Sequence, residues 1–511
     1  MLSTVYSAGI YGVDGFIVTV ECDVQDKIDS FEVVGLPDAA VREARERIRA
    51  AADNSGFVMG ENAITINMAP ADKKKEGSAY DLALMIAIMS GMGYIMSKKN
   101  ENKFEDKCFI GELSLSGEVR GVKGVLCMCI AARTAGKTDV FVPVSNSGEA
   151  AVVDGLNIYG VKNIRELILH LNGVEPLVPV KFDGSRFNFD TSQSNLDFSD
   201  VKGQGVAKRA LEIAAAGRHN VLMIGPPGTG KSMLAKRLAS ILPMLTFDEA
   251  VETTKIHSIS GILPDGVSLI TARPFRSPHH TMSAVSLAGG GAIPMPGEIS
   301  LAHNGVLFLD ELPEFNKAAT EVLRQPLEDS KITITRASGR LTFPSSVMLV
   351  CAMNPCRCGY YGHPTHPCAC TAAERKKYLQ KLSGPLIDRI DIQIEVPSLA
   401  YTDMASERTG DTSAQIRDRV DKARAFALKR DYSIKSNAEL DTKQIQKYCK
   451  MEDKARMLLE AAFNRMGLSA RGYDRVLRVA RTVADLDESD IIMAKHIAES
   501  IQLRSLDRNY F

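Results

Sequence analysis

The stretch NVLMIGPPGTGKSMLAKRLA, residues 220–239, constrains this chain more than any other. A short apolar run reads as a strand, the glycines and prolines as a tight loop, and the remainder as a helix, the context that gives Gly-x-x-x-x-Gly-Lys-Ser its meaning. Gly225, Gly228 and Gly230 let backbone amides approach phosphate oxygens closely, and Pro226, Pro227 and Thr229 complete the nucleotide-binding loop. Lys231 offers a point charge to β- and γ-phosphates, and Ser232 can ligate magnesium. The rival reading is a chance glycine turn. A second element, GVLFLDELPEF, weighs against chance by placing Asp310 and Glu311 at the end of another apolar strand. Asp310 suits a magnesium held through water, and Glu311 suits polarising an attacking water. Together the two elements imply an ATPase with ATP and magnesium as cofactors.

The length of 511 residues allows about three domains at ~150 residues each. Alternating strand and helix patterns up to residue 174 predict an α+β first domain. In it FIVTVECDV and AITINMAP read as strands, and a helix begins after Asp38 and ends at Gly56. Residues 175–199, rich in Pro, Ser, Asn and Asp, are expected to be a linker. An α/β domain follows over 200–398. The rest, 399–511, has helical periodicity after the polar stretch TDMASERTGDTS, with Ser413 and Asp441 as expected caps. Lysine plus arginine equals aspartate plus glutamate at 62 each, so a polyanionic partner needs a local basic patch. The start MLSTVYSAGIYGVDG has no secretory pattern. The run DLALMIAIMSGMGYIM, broken by Ser90, Gly91 and Gly93, reads as a buried helix rather than a membrane span. Scattered cysteines outside two tight pairs fit reduced thiols in a cytoplasm.

The phosphate loop, the acidic strand and VMLVCAMNP, which puts Asn354 at a strand end, resemble the AAA+ superfamily. That resemblance implies that Asn354 positions the hydrolytic water beside Glu311. SGPLIDRIDI is similar to the arginine-finger segment of the magnesium-chelatase and MCM helicase branch, which implies that Arg389 reaches a nucleotide held by a neighbouring subunit. GLSARGYDRVLRVARTVADL resembles the sensor in that branch's helical lid, with Arg471 facing the same phosphate. A finger working in trans implies a homo-oligomeric ring, expected to be a hexamer.

Two further segments bear on what such a ring would act on. ARPFRSPHHTMSAVSLAGGGAIPMPGEISLAHNG resembles the branch's pore-directed insertion, with Arg273, Arg276, His279 and His280 as a candidate basic face; packing against the next subunit is the alternative. SKITITRASGRLTFPSSVML alternates on both sides of RASG and predicts a β-hairpin. Helicase-like members carry a DNA-touching hairpin at this place, and Lys331, Arg336 and Arg340 would supply phosphate contacts; a solvated hairpin tip is the plain alternative.

In the first domain, INMAPADKKKEGSAYDLALMIAIMSG and GELSLSGEVRGVKGVLCMCIAARTAGKTDVFVP resemble Lon-type proteases, with Ser78 at the nucleophile's position. The match puts Leu126 where the activating lysine belongs, with Lys123 almost one helical turn earlier. A serine without a base is a weak nucleophile, so a proteolytically inactive domain is expected, and Ser78 also suits a helix N-cap.

Over essentially its whole length the chain resembles the ComM/YifB family. That resemblance implies a hexameric AAA+ ATPase and a cytoplasmic helicase that drives DNA branch migration as single strands recombine in natural transformation. An ATP-dependent unfoldase or Lon-like protease and a magnesium-chelatase-like subunit are the alternatives. The implied partner is single-stranded or branched DNA, and no membrane. One feature stands apart. Residues 356–370 carry two Cys-x-Cys pairs, Cys356/Cys358 and Cys368/Cys370, nine residues apart. Four thiolates suit a tetrahedral structural zinc, with His363 or His366 able to replace one. Unmetallated thiols in an ordered loop are the alternative, and a redox switch would need a thiol of low pKa. Arg357 and the run Arg375 to Lys377 give this loop a second candidate DNA contact.

Overall fold

The structure, a computed structural model, describes residues 1–96, 103–182, 196–264, 266–291, 294–336, 339–399, 410–432 and 434–504. The linker residues 183–195, the polar stretch up to residue 409 and the hairpin residues Ala337 and Ser338 lie outside that set. The chain divides into two compact units, Met1–Asn188 with Phe247–Ile270, and Phe189–Thr246 with Thr271–Phe511. The segment Phe247–Ile270, which lies inside the expected 200–398 domain, groups with the first unit.

In the first unit a sheet runs in the order Leu2–Tyr11, Asp14–Gln25, Ala63–Ala69, Ser30–Val34. Only the last pairing is parallel. Strand Asp14–Gln25 alternates buried and partly exposed residues, the period expected of a sheet with one wet face. Helix Asp81–Gly91, the segment read as a buried helix, has every residue from Leu82 to Met89 in the core. Among the described residues no helix is long and apolar enough to cross a membrane. A second, parallel sheet holds Lys107–Phe109, Asp139–Pro143 and Asn157–Val161, where Phe109, Phe141 and Tyr159 stack at 4.8 and 4.9 Å. Asp38 caps a short helix, Ala39–Arg42, and the expected single helix is interrupted at Glu43 before Ala44–Asn54. Helix Phe247–Ser260 packs on Val125–Thr134, and the Ser258 hydroxyl donates to Glu149.

The second unit is built on five parallel strands in the order Phe275–Arg276, Val306–Leu309, Met348–Met353, Val221–Ile224, Ile392–Glu395. The middle strands are apolar throughout and fully buried, as a sheet covered on both faces requires. Of these five strands the first in chain order, Val221–Ile224, lies between the fourth and the fifth. Such a reversal of strand order opens a crevice at the carboxyl ends of the strands. A mixed α/β fold with a parallel sheet follows, as expected. Helices Ser413–Leu428, Asp453–Met466, Ala470–Leu486 and Ala494–Gln502 form the helical C-terminal part. Asp441 caps Thr442–Tyr448 as expected. Ser413 does not cap: Thr412 does, in a box with Gln415, and the Ser413 hydroxyl accepts instead from Phe198 N.

Candidate nucleotide site

Three strand ends converge. Ile224 pairs with Met353 and Leu309 with Cys351, so Gly225, Asp310 and Asn354 leave the sheet side by side. The loop is tied to the neighbouring strand by Gly225 N donating to Met353 O at 3.2 Å. A Cβ at Gly225 would stand 2.2 Å from Val396 O, so only glycine fits. Gly228 and Gly230 have φ of +79° and +89°, left-handed values that glycine adopts without penalty. Helix Lys231–Ile241 starts here and aims its N-terminus at the loop, an anion site by construction.

Lys231 donates to Gly225 O (2.7 Å) and Pro226 O (2.8 Å), with Asn354 Oδ1 at 3.3 Å. Burial pushes its ammonium down to about 8. Carbonyl oxygens are a poor substitute for an anion, so this buried cation is suited to phosphate. Across the crevice Ser232 Oγ donates to Asp310 Oδ2 at 2.6 Å. A hydroxyl and a carboxylate facing each other beside a phosphate loop fit magnesium, which favours few protein oxygens and keeps several waters. They would hold it where it neutralises phosphate charge.

Glu311 follows with φ +53° and its carboxylate half exposed, turned out of the strand line. His280 Nδ1 lies 3.2 Å from Glu311 Oε2. On sequence grounds His280 belongs to a candidate basic pore face, and this pairing with Glu311 is not legible there. Both arginines of that segment are engaged within the chain. Arg273 donates to Pro243 O, Asn304 O and Met244 O, and Arg276 forms a two-bond pair with Glu298 at 2.6 and 2.7 Å.

Arg389 is buried, donates to Pro385 O at 2.5 Å and pairs with Glu328 of its own chain. Arg471 is exposed at the start of helix Ala470–Leu486. Its neighbour one turn on, Arg475, is the one that reaches inward: Nη1 donates to Asp391 Oδ1 at 2.5 Å. Asp391 also accepts from Asn220 N (3.1 Å) and faces His219 Nδ1 (3.4 Å). Burial works against its charge, yet Arg475 and His219 hold its carboxyl well below the usual range. The hairpin is present as Lys331–Arg336 paired with Gly339–Pro344, with Lys331, Arg336 and Arg340 exposed.

The four cysteine ligand atoms all lie within 4.8 Å of one another. His363 and His366 are not in that group; the His363 ring accepts from Thr365 N and His366 N. Loop amides, that of Tyr360 foremost, bring the Cys358 thiol down to about 6, while burial pushes Cys356 up to about 12. In the first unit Ser78 donates to Glu112, and Leu126 is fully buried. The Lys123 side chain packs against Gly261, and Lys75 donates to Gly35 O and Pro70 O.

A parallel sheet of this order, a phosphate loop, an acidic strand end and a helical C-terminal part define a magnesium-chelatase-type AAA+ protein. Family profiles agree: "Magnesium chelatase, subunit ChlI" matches residues 197–404, "Subunit ChlI of Mg-chelatase" 20–146, and "Magnesium chelatase, subunit ChlI C-terminal" 410–504. The chain is 42% identical over 514 aligned residues to competence protein ComM of Haemophilus influenzae, covering 99% of this chain and 98% of that one. It is 41% identical to the uncharacterised protein YifB of Escherichia coli over 513, again 99% and 98%. A zygotic DNA replication licensing factor, mcm6-B of Xenopus laevis, is 22% identical over 58% of this chain and 34% of its own length. The chain belongs to the ComM/YifB family.

Proposed function

We propose that this protein is an ATP-hydrolysing ring motor acting on DNA, a branch-migration helicase that extends the pairing of incoming single strands during natural transformation. The observation that carries the ATPase reading is the convergence of Lys231, Ser232, Asp310, Glu311 and Asn354 on one crevice. In this reading Lys231 and the loop amides hold the phosphates, Ser232 and Asp310 hold magnesium, and Glu311 takes a proton from water that Asn354 orients. Arg389 serves the neighbouring subunit's nucleotide and Arg471 the lid side. A homo-oligomeric ring follows from that trans arrangement, and the family resemblance makes a hexamer the expected size. Its relative's name, competence protein, supports the transformation role, and the licensing factor's similarity supports DNA as the partner.

The protease alternative has Ser78 against it, bonded to a carboxylate rather than to a lysine. The decisive experiment is ATP-dependent branch migration on a synthetic three- or four-way junction. Migration is expected from the wild type and lost in Lys231→Ala and Glu311→Gln, with Glu311→Gln still binding ATP. A purified chain whose ATP turnover ignores single-stranded and branched DNA, and which moves no junction, would overturn the DNA reading.

A further inference from the structure

The cysteine loop is not a remote ornament on the ATPase domain. It begins two residues after Asn354 and returns to the same place. Cys356 is fully buried, Gly359 N donates to Cys356 O at 3.0 Å, and the loop then turns through Gly359 at φ +87°. At that turn a Cβ would lie 2.8 Å from Cδ and 3.3 Å from Cγ of Pro227, and 4.0 Å from Cγ of Asn354. The backbone of Gly359 is therefore pressed on the phosphate loop beside the residue that touches Lys231. Beyond Cys370 the chain enters helix Ala372–Leu379 through a Thr371–Glu374 capping box. Arg375 fastens that helix back on the loop by donating to Cys370 O at 2.9 Å and lying 4.4 Å over the Tyr361 ring.

The sulfurs have metal spacing. Cys356 Sγ is 3.3 Å from Cys358 Sγ and 3.7 Å from Cys368 Sγ, and Cys358 to Cys368 is 3.6 Å. Four sulfurs about 2.3 Å from one tetrahedral centre lie about 3.8 Å apart, whereas a disulfide brings two to about 2.05 Å. The set is closed, since four thiolates leave no open position, which is the structural rather than the catalytic pattern.

We propose that Cys356, Cys358, Cys368 and Cys370 bind one structural zinc ion, and that the zinc loop is a wedge whose Gly359 sets the position of Pro227 and Asn354 in the ATP site. Zinc thus controls nucleotide turnover from a site that never meets the nucleotide. The wedge rests on the ATPase reading; the zinc site does not.

The test begins with elemental analysis of full-length protein purified without chelator. One zinc per chain is expected, and none in a Cys358→Ser/Cys368→Ser double variant; absence of stoichiometric zinc from the wild type overturns the metal site. The wedge is tested with Gly359→Ala, which keeps every thiol. Zinc content should stay at one per chain while ATP turnover falls at least tenfold and affinity for a fluorescent ATP analogue changes. Gly362→Ala is the control, because Gly362 has a similar φ of +80° but its Cβ would meet nothing closer than 4.0 Å. It should turn ATP over as the wild type does. Unchanged turnover and affinity in Gly359→Ala, or an equal loss in Gly362→Ala, overturn the wedge. If the wild type itself hydrolyses no ATP, the ATPase reading falls, and the analogue's affinity for Gly359→Ala against Gly362→Ala still decides whether the loop bears on the nucleotide pocket.

Discussion

Lys231 illustrates how a single side chain carries a pH signature. Ordinary lysine titrates near 10.4, but burial pushes this one down to about 8. Phosphate needs the charged form, so nucleotide affinity is expected to weaken as pH rises from about 8 towards 9.5. Lys231→Arg, which stays charged throughout, should flatten that profile; a wild-type profile flat across this range would contradict the assignment. The sign for folding is the opposite. Between about 8 and 10.4 the unfolded chain binds the extra proton, so stability of the nucleotide-free protein from this group rises with pH in that window. Glu311 is a different case. Its strand end was legible, but its pairing with His280 was not, because histidine and glutamate are 31 positions apart and come together only through the fold.

Among the elements, the hairpin and the helix Ala470–Leu486 make separate predictions. On the hairpin Ile332, Ile334 and Phe343 are buried while Lys331, Arg336 and Arg340 are exposed, so the cations can be removed without disturbing the packed face. Replacing all three with alanine should leave basal ATP turnover and melting temperature unchanged. DNA affinity should fall, with the slope of log affinity against log salt reduced by about one for each phosphate that a removed cation had neutralised. A variant with wild-type DNA affinity and salt slope would remove the hairpin from the DNA path. The helix is anchored differently, through Arg475 to the buried Asp391. Asp391→Asn leaves Arg475 without its partner and should cost about 3–5 kcal/mol, read by urea unfolding. Because the Asp391 carboxyl is held below its usual range, its contribution is present above about pH 4 and is lost as pH falls further. The difference between wild type and variant should therefore shrink in acid.

For the whole molecule, the central expectation is an active site shared between subunits. Arg389 is paired within its own chain by Glu328, at the end of the helix that leads into the hairpin. To serve a neighbour it would have to leave that partner. Lys231→Ala subunits keep the finger and lose the loop, while Arg389→Ala subunits keep the loop and lose the finger. Mixed in equal amounts, the two inactive proteins should recover part of the wild-type ATP turnover. Absence of recovery in mixed rings verified by native mass spectrometry would mean that Arg389 does not act in trans.

What the sequence determined by itself is what lies in local order: the loop Gly225–Ser232, the acidic strand end at Asp310, the hairpin, the cap at Asp441 and the buried helix Asp81–Gly91. Glycine spacing, apolar runs and capping chemistry act over a few residues, so they survive without knowledge of the fold. The tertiary structure decided what depends on the meeting of distant segments. It assigned the helix Phe247–Ser260 to the first unit, tied Arg273 to backbone carbonyls and Arg276 to Glu298, and paired Arg475 with Asp391. It also seated Gly359 of the cysteine loop on Pro227, whereas the four cysteines that come together were already legible as a set. An arginine's chemistry is the same in every sequence window; which carboxylate or carbonyl it meets is fixed only when burial forces each charged group to find a partner.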